Sequence, residues 1–356
     1  MKLAAVLNAR VLFSIFGLIG ISLSLIASTT PGFFITQLSF FLLGLIVYIV
    51  FASIDFRVWT RFTWLFYIVS LLFLFAVFFS PGVRGAHRWI DIGAWQIQPS
   101  ELIKPFIIII LAGILTNQKN SMLLTSTKGF LLLLPIAILI FKQPDLGNVL
   151  VYLSSFIALE IVSGLSWLYI LICLVFILLI SPVLWFVLEH YQKSRLLAFL
   201  NPNLDPMGIG YNALQSIIAI GSGQFFGLGL GRGTQSHLLF LPEYRTDFIF
   251  ASMGEELGFI GGVLVILFYF VLLSSILQIS LRSENNFGRL LCYGIFTQLF
   301  TQIFINIGMN LGIMPVTGIT LPLISSGGSS IMATFISLGL IASVDSLNRK
   351  KPLVIR

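Results

Sequence analysis

Runs of apolar residues about as long as a bilayer crossing, separated by short polar breaks, repeat through the whole chain. A helix needs roughly 18–20 apolar residues to cross the hydrocarbon core of a membrane. The pattern predicts ten spans, at 11–28, 33–53, 62–80, 99–116, 129–142, 146–163, 166–188, 257–280, 288–311 and 327–345. The fifth and sixth are short, which predicts a break or a tilt there. The expected fold is therefore an all-α polytopic integral membrane protein, a single unit over 1–356. Two outer loops stand apart from the short ones, at about 81–98 and 189–256, the larger lying between the seventh and eighth spans.

The larger loop is too apolar and too rich in glycine for a soluble domain. Tyr211–Gly221 sets polar Asn212, Gln215 and Ser216 beside Ile217, Ile218 and Ile220, the pattern of a helix lying in the membrane interface. Gly208–Gly233 holds eight glycines, which predicts re-entrant or closely packed backbone. Asn310–Ser330 (NLGIMPVTGITLPLISSGGSS) breaks the apolar pattern with prolines and glycines, as irregular backbone lining a cavity would. No spacing makes a dinucleotide fingerprint, and no internal repeat supports an inverted-repeat transporter. The first apolar run is too long for a signal h-region and is read as an uncleaved helix.

Composition agrees: 58% of residues are hydrophobic and 9% charged. With an even number of spans both termini share one side. Placing them in the cytoplasm puts twelve of the twenty Lys and Arg there, all in short segments, as the positive-inside rule requires. The net charge of +7 is then a topology signal with affinity for anionic lipid heads. There is no basic stripe to bind nucleic acid. Cys173 and Cys292 both fall within predicted spans, where they read as small apolar fillers.

Against this background the carboxylates are informative. Leu241–Gly258 (LPEYRTDFIFASMGEELG) carries four of thirteen: Glu243, Asp247, Glu255 and Glu256. An acidic residue at a membrane boundary is a functional-site hypothesis by default. If Thr246 caps a helix running into the eighth span, Asp247, Ala251, Gly254, Glu255 and Gly258 share a face, a carboxylate above small residues that admit a ligand or another helix. Partial burial would fit Asp247 for a general base; the plainer alternative is an aspartate favoured by a helix start.

Further candidates surround it. In Gln98-Pro99-Ser100-Glu101-Leu102-Ile103-Lys104-Pro105, Glu101 and Lys104 can pair on one helix face while Pro105 removes the bond to the Glu101 carbonyl. The pair either faces an anionic substrate in a cavity or locks the bundle. Arg84 and Arg88 are suited to phosphate, and Trp89 to the headgroup level. Asp145 either caps the next helix or joins the same cavity. Ser325–Ser330 offers hydroxyls and N–H groups to a sugar or phosphate, or is a plain turn. Three histidines make a His-rich metal site improbable.

Together the segments RGAHRWI, QPSELIKP, QPDLG, QSIIAIGSGQFFGLGLGRGTQ, LPEYRTDFIFASMGEELG and PVTGITLPLISSGGSS resemble, in order, the SEDS family of bacterial cell-wall polymerases, RodA, FtsW and the sporulation homologues. The match runs from about residue 84 to 330, and GTQSHLLFLPE resembles the RodA branch. Tyr244-Arg245 departs from the basic residue and His common in relatives. The resemblance implies a peptidoglycan glycosyltransferase of the inner membrane that polymerises lipid II during elongation. It implies Asp247 as catalytic, with Arg84, Arg88, Trp89, Glu101, Lys104, Asp145, Arg245, Ser326, Gly327 and Gly328 toward substrate. It further implies a class B penicillin-binding protein and other elongation-complex proteins as partners. No resident metal is expected; a divalent cation, Mg2+ or Mn2+, could help carry the diphosphate charge. The rival reading is a flippase for the polyprenyl-linked precursor, which should carry charges at mid-membrane; only Glu160 lies inward of the outer half. A scaffold that merely holds a transpeptidase would tolerate replacement of Asp247.

Overall fold

The computed structural model describes residues 8–81, 87–93, 95–116, 121–166, 188–201 and 209–349, with scattered positions between 168 and 186. Among the described residues, eight helices are long and apolar enough to cross a membrane: Ala9–Thr29, Pro31–Ser53, Phe56–Phe79, Met122–Lys142, Leu146–Ser163, Ile249–Arg282, Asn286–Asn310 and Gly328–Arg349. Pro31–Ser53 and Phe56–Phe79 begin as 3-10 turns, Pro31–Phe33 and Phe56–Phe62, before becoming regular α-helix.

Gly328–Arg349 is the axis of the bundle. Most of its side chains are buried, and it packs along Phe34–Ser53. Glycines set that approach. A Cβ on Gly44 would lie 2.2 Å from the Phe335 ring, and one on Gly339 would lie 2.8 Å from the Tyr48 carbonyl. Without a hydrophobic force between helices in lipid, such close backbone contact is a main source of association. Asn286–Asn310 packs on Leu146–Ser163, Ile249–Arg282 and Lys104–Thr116. At one end, Asn8 Nδ2 donates to Asp345 (3.1 Å), tying the first helix to the last.

Several expectations change. The predicted ten spans are not reached among the described residues, and the seventh, 166–188, lies mostly outside them. The fourth is two pieces, Pro99–Leu102 and Lys104–Thr116, because Pro105 cannot donate to the Glu101 carbonyl. The fifth is longer than its apolar run, starting at Met122, since its early hydroxyls are accommodated: Ser126 donates to Glu160 (2.6 Å). The fold is not purely helical. The first outer loop holds a two-stranded antiparallel ribbon, Ile90–Ile92 with Trp95–Ile97, pairing Ile90 with Ile97 and Asp91 with Gln96. Gly93 takes the positive φ (65°) its turn needs.

The stretch read as one large loop carries structure of its own, with helices His190–Leu200, Ile209–Ser222 and Thr234–His237. The second contains the expected amphipathic segment. The helix that follows starts at Ile249 and breaks at Gly258 (φ 65°, ψ −163°), so only its second part matches the predicted eighth span.

The break is knitted shut by the glycine-rich segment. Leu228 and Gly229 N–H donate to the freed carbonyls of Glu255 and Glu256 (3.0 Å each), while Phe259 and Ile260 N–H donate to the carbonyls of Gln224 and Phe225 (2.9 and 3.2 Å). Glycine is required at these crossings: a Cβ on Gly227 would lie 2.2 Å from the Glu256 carbonyl oxygen, and one on Gly258 would lie 2.2 Å from the Gly227 nitrogen. Backbone polar groups at membrane depth must be satisfied internally, and here two chain segments satisfy each other.

Candidate active site

The glycine-rich segment also settles the acidic cluster. Glu255, fully buried, accepts from Gln235 N–H (2.8 Å), Ser236 N–H (3.3 Å) and the hydroxyls of Thr234 (3.3 Å) and Ser236 (3.1 Å). Glu256, also buried, accepts from Ser28 (2.7 Å) and Gly231 N–H (3.2 Å) and meets His237 Nε2 at 3.0 Å. The expected face of Asp247 above small residues is not formed. Phe248, not Thr246, stands at the helix N-cap, and Gly254 and Gly258 pack on Ile220 and Gly227 rather than facing a ligand.

Asp247 is left apart, half-buried in the loop before Ile249. Its backbone is pinned. Asn306 and Asn310, one turn apart and both fully buried, each donate a side-chain N–H to its carbonyl at 3.0 Å. Asn310 Oδ1 also accepts from Ala251 N–H (3.1 Å), so one side chain spans the loop and the helix it enters. The irregular 310–330 segment closes the other side. Ser325 donates to the Thr246 carbonyl (2.6 Å) and Ser326 N–H to the Arg245 carbonyl (2.8 Å). Arg245 itself turns away over the Phe33 ring, 4.1 Å from its centroid.

The carboxylate faces Arg195 across Gly318. A methyl on Gly318 would lie 3.3 Å from Asp247 Oδ2 and 3.6 Å from Arg195 Nη1, and Gly318 has a φ of 78°. Burial pushes the Asp247 carboxyl up to about 6; Arg195 and Arg88 and the Thr246 hydroxyl oppose the rise, and Glu243 adds to it. Burial draws the Arg195 guanidinium down to about 10 against the pull of Asp247 and Asp145. Arg88 is aimed by its own backbone acceptors, with Nε donating to the Gln143 carbonyl (2.9 Å) and Nη2 to the Pro144 carbonyl.

The remaining predicted residues form a layer beneath. Asp145 accepts from Asn148 N–H (3.3 Å), and so caps Leu146–Ser163, while also accepting from Gln98 (3.1 Å), Ser100 (2.8 Å) and the Asn148 side chain (2.8 Å). The two readings of Asp145 are thus compatible, and the network joins QPSE to QPDLG. Lys104 donates to Glu101 at 2.7 Å with both side chains buried. Gln98 N–H donates to Ser329 (2.9 Å), bringing the SSGGSS turn into the same layer. Ser326, Gly327 and Gly328 are half-buried at its edge, as is Trp89. Arg84 lies outside the described residues.

Pattern reasoning passed over Arg195, Asn306 and Asn310, which the structure gathers around Asp247. Amides at one-turn spacing, Gln298, Gln302, Asn306 and Asn310, in a membrane-length helix carry a signal; a single arginine in YQKSR carries little. Among the described residues no three His, Cys, Asp or Glu converge as metal ligands.

Membrane-length helices with a carboxylate and two arginines gathered between their connecting segments define a multi-pass membrane protein built around one polar site. The chain belongs to the FtsW/RodA/SpoVE family of cell cycle proteins, whose pattern it matches over residues 3–350. It is 38% identical over 307 residues to the peptidoglycan glycosyltransferase MrdB of Escherichia coli, covering 85% of this chain and 82% of that one. It is 37% identical over 324 residues to the stage V sporulation protein E of Bacillus subtilis, covering 87% of each. Among solved structures, a chain of a peptidoglycan synthase complex that coordinates polymerization and crosslinking superposes with a TM-score of 0.83, at 29% identity over 97% of this chain and 99% of that one. The Thermus thermophilus rod shape determining protein RodA superposes with a TM-score of 0.73, at 27% identity over 97% and 98%.

Proposed function

We propose that the chain is a peptidoglycan glycosyltransferase that extends glycan strands from lipid II, with Asp247 as general base. The observation that supports this best is the setting of Asp247: a half-buried carboxylate, fixed by its backbone and flanked by Arg195 and Arg88. One lipid II presents its GlcNAc 4-hydroxyl, and the growing chain presents the MurNAc anomeric carbon bonded to diphosphate. Asp247 takes the hydroxyl proton as the oxygen bonds to the anomeric carbon. The bond from that carbon to the diphosphate breaks, the electron pair leaves with the diphosphate, and α becomes β. A diphosphate leaving group needs charge stabilisation rather than a proton, so one carboxylate suffices where glycosidases use a pair. Arg88 is positioned for that charge.

The likeness to the synthase complex supports a transpeptidase of the class B penicillin-binding type as the partner. The distribution of Lys and Arg supports cytoplasmic termini and an outward-facing site. Single cysteines replacing Lys119 and Arg232, in a chain lacking Cys173 and Cys292, test this by labelling from outside intact cells; label at 119 and not at 232 would reverse the orientation. The activity itself is tested with purified protein and labelled lipid II. Asp247→Asn should still bind lipid II while polymerisation falls about 10²–10⁴-fold. A rate within a few-fold of wild type would remove Asp247 from the mechanism.

A further inference from the structure

Arg195 has no part in the mechanism above, yet it is the cation set most directly against the reacting carboxylate. It comes from His190–Leu200, a helix separated in sequence from every segment that holds Asp247. Gly318 is the thin wall between them: a methyl there would approach Asp247 Oδ2 to 3.3 Å and Arg195 Nη1 and Nη2 to 3.6 and 3.9 Å. We infer that Arg195 is a positioning residue, holding the Asp247 carboxylate ionised and aimed in the empty site so that it accepts a proton as soon as the sugar hydroxyl arrives.

The surroundings leave this task to Arg195. From its own loop Asp247 meets Glu243, which opposes ionisation, and the Thr246 hydroxyl, which supports it. From the segment before the ribbon comes Arg88, whose guanidinium donates to the carbonyls of Gln143 and Pro144. From the helix behind come Asn306 and Asn310, neutral and bonded to the Asp247 carbonyl rather than its carboxylate. The turn at Gly318 offers no charged side chain. Arg195 is the largest influence that favours the ionised form, and its second acidic neighbour, Asp145, already accepts from Gln98, Ser100 and Asn148.

The inference rests on Asp247 being the base, and one experiment separates the two. Polymerisation of labelled lipid II is followed against pH for wild type, Arg195→Lys, Arg195→Met and Asp247→Asn, each first shown to fold by thermal melting in detergent. An arginine beside an aspartate lowers its pKa by ~1–3 units. Arg195→Met should therefore move the acid limb of the rate up by about that amount, with a rate at pH 7 lower by about two- to hundredfold and recovery at high pH. Arg195→Lys, which keeps a charge, should leave the limb near wild type. If Arg195→Met loses activity equally at every pH, or the limb stays put, the inference fails while Asp247 stands. If Asp247→Asn remains active, the base assignment fails and takes the inference with it.

Discussion

Asn310 holds Asp247 by its backbone and not by its carboxylate: the side-chain amide donates to the Asp247 carbonyl at 3.0 Å while its oxygen accepts from Ala251 N–H at 3.1 Å. The carboxylate is thereby left to other partners while its position is fixed from behind. Asn310→Asp keeps the acceptor and replaces the donor with a second acceptor facing a buried carbonyl. The carbonyl keeps its Asn306 donor, but a new buried acceptor without a donor costs about 1–3 kcal/mol. The expected result is a lower melting temperature and at least a tenfold loss of polymerisation, with lipid II binding retained. Activity near wild type would show that the loop is held by other contacts.

The pH profile of the wild type follows from the same carboxylate. A base works only when unprotonated, and burial places the Asp247 carboxyl at about 6. The rate should therefore climb as pH rises through about 6 and level off above it. Measured as kcat/KM, which reports the free enzyme, a limb lying below pH ~4, the range of an ordinary aspartate, would show that Asp247 is not the group being titrated.

Glu101 and Lys104 form a buried pair, and Glu101 Oε2 has no hydrogen-bond partner among the described residues. Removing one partner strands a buried charge, at roughly 3–5 kcal/mol, while removing both is cheaper. Lys104→Met and Glu101→Gln should each destabilise more than the double variant does. Additive losses in a double-mutant cycle on melting and activity would show that the two do not interact.

Gly318 supplies a local test of the gap between carboxylate and guanidinium. Gly318→Ala adds a methyl beside both groups at a φ of 78°. The backbone cost should be about 1–2 kcal/mol, too small to unfold a bundle of this size. Polymerisation should nevertheless fall by tenfold or more, because the methyl contacts both members of the pair. Full activity would mean that the pair can part without consequence.

Much of this was legible in the sequence, and what was hidden had specific causes. Apolar runs located the long helices, because length and composition alone decide a crossing. Pro105 revealed the interruption before Lys104, since a missing donor acts locally. The break at Gly258 was invisible because Phe259–Ile260 continues the apolar run without pause; only the return of residues 224–229 shows where the helix bonds go. Glu255 was placed on the Asp247 face for the same reason, as its partners Thr234, Gln235 and Ser236 lie upstream in the sequence. Asp247 stood out because it interrupts apolar sequence, whereas Arg195 reaches it only through the fold.

The knitted break ties two stretches of sequence into one inheritable piece. Residues 224–229 and 255–260 supply each other's backbone partners, and Glu255 and Glu256 reach on to Ser28 and the 231–237 turn. A change of backbone path in either stretch alone would disturb the crossings at Gly227 and Gly258, where there is no room even for a methyl group. Swapped together, they form a cassette whose seams fall in ordinary helix and loop. The part of this molecule that recombination or design can treat as a module is thus a discontinuous pair of segments, with Asp247 carried between them.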